Sequence, residues 1–138
     1  MGNHLLTKIG QYALVENDEG EVLILLRSRS RTWSLPGGRL EEGEKWDESL
    51  LRELKEETNL NCENPVPFSI NILKDPYQTK YCVYFKVRVL NLKEIKISEE
   101  HGDYKWIGLK ELNSLNMEDK KIVDVIASFM KEKHRLED

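Results

Sequence analysis

Cysteine, basic excess and long apolar runs are what this chain has least of. Its two cysteines, Cys62 and Cys82, form no CxxC pair and stand near no histidine at metal-ligand spacing. That argues against thiolate metal sites and leaves reduced, structural thiols. Lysine and arginine number 21 against 25 aspartates and glutamates. A net charge of −4 and a pI near 5.5 give no basic stripe for the phosphates of a duplex, so no double-stranded nucleic acid partner is expected. Nucleotide-type small molecules stay open as substrates, because metal ions can neutralise their phosphates. No stretch approaches the roughly 20 apolar residues of a membrane span. The first residues also lack a signal-peptide core and the Ser or Thr of a myristoylation pattern. The expectation is a cytoplasmic protein, monomer or homodimer, with no membrane partner. No internal repeat or low-complexity linker interrupts the 138 residues, the length of one ordinary domain with a real core.

What the chain does have is acidity concentrated between Gly38 and Leu60, directly after the turn Trp33-Ser34-Leu35-Pro36-Gly37-Gly38. A helix is predicted over residues 46–58, with Asp47 and Glu48 favourable in its first turn but Lys45 where a Ser or Thr cap would usually stand. Leu50, Leu51 and Leu54 cluster on the wheel and anchor the helix on a sheet. Glu53, Glu56 and Glu57 stand at i, i+3 and i+4, which at about 100° per residue places them on one face. Three carboxylates there repel one another unless a cation sits against them, and hard divalent ions take oxygen ligands in this way. The spacing therefore implies metal, Mg2+ or in its place Mn2+. Arg52 cannot ligate a cation; four residues before Glu56, it is placed to hold that carboxylate.

Around this segment, β-prone runs at residues 9–15 and 22–28 flank the turn cluster Asn17-Asp18-Glu19-Gly20 and predict a first hairpin. Strands are predicted over 68–73 and 81–90, the second with Tyr81, Val83, Phe85, Val87 and Val89 on one face. A further short strand over 93–97 and a last one over 104–107 follow. Residues 109–112 open a helical turn. Residues 118–133 make an amphipathic helix with Ile122, Val123, Val125, Ile126 and Phe129 inward, and the charged residues 131–138 read as its fraying end. A mixed sheet flanked by helices results.

The pattern Gly38, Glu44, Arg52-Glu53-Leu54, Glu56-Glu57 and Asn59-Leu60 resembles the Nudix box of the Nudix hydrolases, here spanning residues 38–60. It departs at Asn59, where the family has glycine; asparagine tolerates the left-handed conformation best after glycine, so the helix stop is kept. The resemblance implies an α+β, three-layer α/β/α sandwich with a mixed central sheet, in one domain over residues 1–138. It also implies a hydrolase that attacks a pyrophosphate bond with water in a nucleoside diphosphate linked to another moiety. Nucleoside triphosphates, dinucleoside polyphosphates, ADP-ribose and nucleotide sugars are the candidate substrates. Glu53, Glu56 and Glu57 would be the metal ligands, with the backbone carbonyl of Gly37 or Gly38 completing the set. In the family pattern Arg52 also meets Glu44, which makes Glu44 structural.

A further catalytic glutamate is expected by resemblance in the loop Ser98-Glu99-Glu100-His101: Glu100 first, then Glu99, an exposed acidic turn being the alternative. His101, lone in a polar loop, is given no role. Glu41 and Glu42 read as solvated loop. Arg27, Arg29 and Arg31 are candidate phosphate contacts or a solvated strand edge. Tyr77, Tyr81 and Phe85 are candidate stacking groups or core, and Trp33 and Trp106 are expected in the core beside the site. Pro76-Tyr77 falls where some subfamilies carry a Pro associated with ADP-ribose or a Tyr associated with dinucleoside polyphosphates, and does not choose between them. The competing reading from another class, a catalytically silent nucleotide-sensing module, would be expected to lack one of the box carboxylates; this chain lacks none. A diphosphate isomerase of the same fold would need a placed cysteine, for which Cys62 and Cys82 offer no evident position. An ordinary charged surface helix leaves Gly38, Glu44 and Arg52 unexplained.

Overall fold

In the computed structural model, which describes residues 2–74 and 76–137 with side chains through residue 132, strand alternation divides the interior into two cores. The elements in order are β1 (Lys8–Leu14), β2 (Val22–Arg27), β3 (Trp33–Ser34), β4 (Gly37–Arg39), α1 (Trp46–Thr58), β5 (Cys62–Lys74), β6 (Thr79–Val89), β7 (His101–Ile107) and α2 (Lys120–Glu137). They form a four-stranded sheet in the order β4-β1-β6-β5 and a three-stranded sheet in the order β3-β2-β7. β1 runs parallel to β6, from Lys8 opposite Lys80 to Leu14 opposite Lys86, while the other pairings are antiparallel. The sheet structure is therefore mixed, as expected.

Because successive side chains on a strand face opposite ways, Tyr12, Leu14, Val22, Ile24, Cys82 and Tyr84 pack toward Ile122, Val125, Ile126 and Phe129 of α2. Their neighbours Ala13, Val15, Leu23, Leu25 and Phe85 pack toward Leu50 and Leu54 of α1. One helix on each side of the strands gives the three-layer α+β sandwich. Trp33 packs against the first cluster and Trp106 against the second. No helix among the described residues is long and apolar enough to cross a membrane.

α1 spans the expected residues. Lys45 stands at its start in extended conformation without a side-chain cap, and Asn59 ends it at φ 63°, its N–H donating to the Lys55 carbonyl. The Asn59 amide also donates to the carbonyl of Glu94 at 3.0 Å, a contact glycine could not make.

Four expectations are corrected. The first hairpin opens: β1 and β2 enter different sheets and meet only beside the turn, where Glu16 bridges Val22 and the Leu23 N–H donates to the Val15 carbonyl. β5 begins at Cys62 rather than residue 68. Pro65 and Pro67 hid that start, but they are tolerated because β5 is an edge strand whose register shifts between Glu63 and Val66 and again between Pro67 and Ser69. Instead of a strand over 93–97, a 3-10 turn covers Leu92–Glu94, and the residues after it bond to the end of α1, Lys96 N–H to the Thr58 carbonyl and Ser98 N–H to that of Glu57. The helical turn opened at 109–112 settles as a 3-10 turn at Leu112–Ser114. α2 runs to Glu137 and takes in residues 131–137 of the charged end; Asp138 lies outside the described residues.

Candidate active site

The turn that enters α1 is shaped by glycine for a steric reason. Gly37 has φ +148°, and a Cβ there would stand 2.1 Å from the Gln11 carbonyl oxygen, so no other residue fits without moving β1. A Cβ on Gly38 would meet the Glu53 carboxyl at 3.0 Å. The backbone of 37–38 thus lies directly against the carboxylate face of α1. The Gly37 N–H donates to Glu57 Oε1 at 2.8 Å.

Glu57 is the most enclosed of these acids, its side chain 10% exposed. Burial pushes its carboxyl up to about 8, with the Gly37 N–H partly opposing and the nearby Glu53 adding to the rise. Burial also raises Glu53, Arg52 partly opposing. Glu56 is turned away: it is exposed and takes Arg52 Nη1 at 3.1 Å. The same guanidinium donates to Glu44 at 2.8 Å and stands 3.5 Å from Glu53. Glu44 in turn accepts from the Glu41 N–H and the Ser49 hydroxyl. That backbone N–H first, and then Arg52, hold Glu44 below its usual carboxylate range. Arg52 therefore clasps Glu44 and Glu56 together, and the loop before α1 is fixed to the helix through it.

These groups border a polar cleft of about 1020 Å³. Glu53, Glu57, Gly37 and Gly38 form one wall, with Glu99 and Glu100 from the loop before β7 beside them. Arg27 and Arg29 also line it; Arg27 is paired with Glu118 at 3.3 Å. Tyr77, 95% exposed, and Tyr81 do not line the cleft. Tyr81 lies on β6 with its side chain on the face opposite that of Lys80, and Phe85 is core.

Three of the cleft residues that escaped the sequence reading are Tyr12, Lys80 and His101. Tyr12 and Lys80 meet across β1 and β6, with Lys80 Nζ 2.7 Å from the Tyr12 hydroxyl. Gly10, where a Cβ would stand 2.8 Å from the Tyr12 ring, leaves room for them. The third is His101, whose Nε2 lies 3.4 Å from Glu57 Oε2 with the imidazole 7% exposed. Its burial contradicts the exposed loop histidine expected there. The pairing is not an ionic one in the protein alone: burial, and then Arg27, lower the imidazole below its usual range, while Glu57 is raised. The one available signal was the β-prone Tyr104-Lys105-Trp106-Ile107 just downstream, which the structure extends back to His101.

The donor set suits a hard divalent cation. Two carboxyls that burial disfavours as anions face a backbone held within contact of one of them, and all their ligating atoms are oxygens. Among the described residues no three acidic, histidine or cysteine side chains converge closely enough to form a cage as they stand. Glu53 and Glu57 come together with the glycine turn, and Glu56 stands apart on Arg52.

The NUDIX domain model matches residues 6–129. The nucleoside triphosphatase NudI of Escherichia coli is 32% identical, over 72% of this chain and 80% of its own. Among solved structures, the MutT protein of Methanosarcina mazei Go1 matches with a TM-score of 0.75 at 30% identity, over 92% of this chain and 95% of that one. An Ap4A hydrolase of C. elegans, at 20% identity, shares the fold with a TM-score of 0.74 over 94% of this chain and 98% of that one. Matched by the family model over most of its length and by a relative and a structure at this identity, the chain belongs to the Nudix hydrolases, pyrophosphohydrolases that act on phosphoric anhydrides.

Proposed function

We propose that this chain is a Mg2+-dependent hydrolase, able to use Mn2+, that cleaves a pyrophosphate bond of a nucleoside triphosphate or dinucleoside polyphosphate by attack of water on phosphorus. The observation that carries the reading is the meeting of Glu53 and Glu57 with the Gly37–Gly38 backbone on the wall of a polar cleft that also holds arginines. The names of the E. coli triphosphatase and the C. elegans Ap4A hydrolase support these two substrate classes. The expected setting is a cytoplasmic monomer or homodimer of a single domain, in keeping with two free cysteines.

Each residue has a distinct task. Glu53, Glu57 and a carbonyl of Gly37 or Gly38 would hold the cation, and Glu56 would join them by rotating within the reach of Arg52. When bound, the cation would neutralise phosphate oxygens and lower the pKa of water. The new bond forms between the water oxygen and phosphorus; the bridging P–O bond breaks, and its electron pair leaves with the departing phosphate. Glu100, which lines the cleft with Glu99 beside it, would accept the proton from water. Arg27 and Arg29 offer planar forks to the phosphate oxygens.

The test is a substrate panel with Mg2+: ordinary and oxidised nucleoside triphosphates, dinucleoside polyphosphates, ADP-ribose and nucleotide sugars, with products separated by chromatography and Glu53→Gln as control. Cleavage of a triphosphate or dinucleoside polyphosphate that is lost in the control supports the proposal. Binding without cleavage across the panel favours the nucleotide-sensing module, and cleavage confined to ADP-ribose or nucleotide sugars overturns the substrate assignment.

A further inference from the structure

We infer that His101 is a positioning residue for Glu57, fixing from beside it the direction in which that carboxylate faces the cleft. The inference rests on the proposed function, since it gives Glu57 a ligand's role. A carboxylate has two oxygens, and here both have a neighbour on the protein side: Oε1 takes the Gly37 N–H at 2.8 Å and Oε2 lies 3.4 Å from His101 Nε2. The remaining lone pairs are the ones left to face the cleft, which Glu57 lines.

The imidazole is itself held. Its Nδ1 lies 3.4 Å from the Ser98 hydroxyl, and the His101 N–H donates to the Ser98 carbonyl at 3.2 Å. Ser98 closes the circuit, because its N–H donates to the Glu57 carbonyl oxygen at 2.9 Å. Glu57, Ser98 and His101 are thus joined through both backbone and side chains. With Nδ1 accepting from the Ser98 hydroxyl, Nε2 carries the proton, and from 3.4 Å it can turn that proton to Oε2 once Glu57 is ionised, as a metal ligand must be. β7 begins at His101, which pairs with Arg27 where the ladder shifts register after Leu26. That irregularity places the ring beside α1 while Glu99 and Glu100, the residues before it, stay at the cleft. Donors that hold ligating carboxylates in orientation typically change metal affinity 10–100-fold when removed. A packing role alone would alter stability and leave metal affinity in place.

The experiment titrates Mn2+ into the full chain, followed by electron paramagnetic resonance of the free ion, for the wild type, His101→Phe, His101→Gln and Ser98→Ala. Melting temperatures are recorded without metal. Phe keeps the ring and removes the donor, whereas the Gln amide nitrogen can occupy the place of Nε2. We expect His101→Phe to weaken Mn2+ binding about tenfold or more, His101→Gln to recover most of the loss, and Ser98→Ala to show a smaller loss in the same direction. In turnover, kcat should fall at fixed Mn2+ with KM for the nucleotide little changed. Wild-type affinity in His101→Phe, or equal weakening in the Phe and Gln variants, overturns the inference. If His101→Phe does not fold, unchanged affinity in Ser98→Ala together with loss in His101→Gln overturns it. A wild type that binds no Mn2+ removes the proposed metal site as well; one that binds and hydrolyses normally alongside an unaffected Phe variant removes the role of His101 alone.

Discussion

Glu57→Gln should make the metal-free protein more stable, although it removes a residue proposed to be essential. Burial raises the Glu57 carboxyl from an ordinary 4.5 to about 8. The unfolded chain is ionised above about pH 4.5, while the folded one keeps its proton until about pH 8. Between those values the native state binds the extra proton, so stability falls as pH rises, by about 1.4 kcal/mol per pH unit for one group. At pH 7 the loss amounts to about 3 kcal/mol. A glutamine is neutral in both states and escapes it, while its carbonyl can still accept from the Gly37 N–H that now reaches Glu57 Oε1 at 2.8 Å. For a chain of this length, about 3 kcal/mol corresponds to a rise of roughly 10 °C in melting temperature.

The assay is thermal unfolding by circular dichroism in EDTA, from about pH 5 to about pH 8, for both proteins. The two curves should lie close together at the acid end and separate as pH rises, with the variant above. Addition of millimolar Mg2+ should then raise the wild type and leave the variant nearly unmoved. A variant less stable than wild type at every pH, or one with the same pH slope, would refute the assignment of that proton to Glu57. A variant that still gains the full increment from Mg2+ would remove Glu57 from the metal site.

Other perturbations test neighbouring parts of the same wall. Glu53→Gln should lower turnover by at least about two orders of magnitude with the fold intact; near-normal rates in steady-state assays would exclude Glu53 as a ligand. Arg52→Ala should lower kcat by releasing Glu44 and Glu56, which it holds at 2.8 and 3.1 Å; a silent variant in the same assay would show that the clasp positions nothing. Gly37→Ala places a Cβ 2.1 Å from the Gln11 carbonyl oxygen at a φ of +148° and should cost at least about 3 kcal/mol. Urea unfolding measures it, and a midpoint like that of wild type would refute the steric account.

The legible parts of this molecule are those that local chemistry determines. The limits of α1 follow from leucine spacing and from an asparagine that accepts a left-handed conformation, and residues 46–58 are helical as read. The reach of Arg52 to Glu56 is helix geometry at four residues. Elsewhere long-range pairing decided. Pro65 and Pro67 argue against a strand in any local window, and only the edge position of β5 admits them. Tyr77 and Tyr81 looked available because they are aromatic, but neither lines the cleft; Tyr81 pairs with Ile9, and it is the ammonium of its neighbour Lys80, opposite Lys8, that reaches the Tyr12 hydroxyl at the cleft.

His101 is the clearest case of a residue whose meaning lies wholly in the register. In sequence it follows two glutamates in a polar stretch and has the profile of an exposed, titrating side chain. Its burial depends on three facts that no local window contains: Ser98 is bonded to the end of α1, β7 starts one residue after the acidic pair, and the ladder with β2 shifts between Leu26 and Arg27. Without the shift, period-two alternation would carry the imidazole to the other face of the strand. The glutamates of the box are readable because a helix displays its face at fixed intervals. The groups that hold those glutamates still come from strands and loops, and their contribution is set only when the sheet closes around the helix.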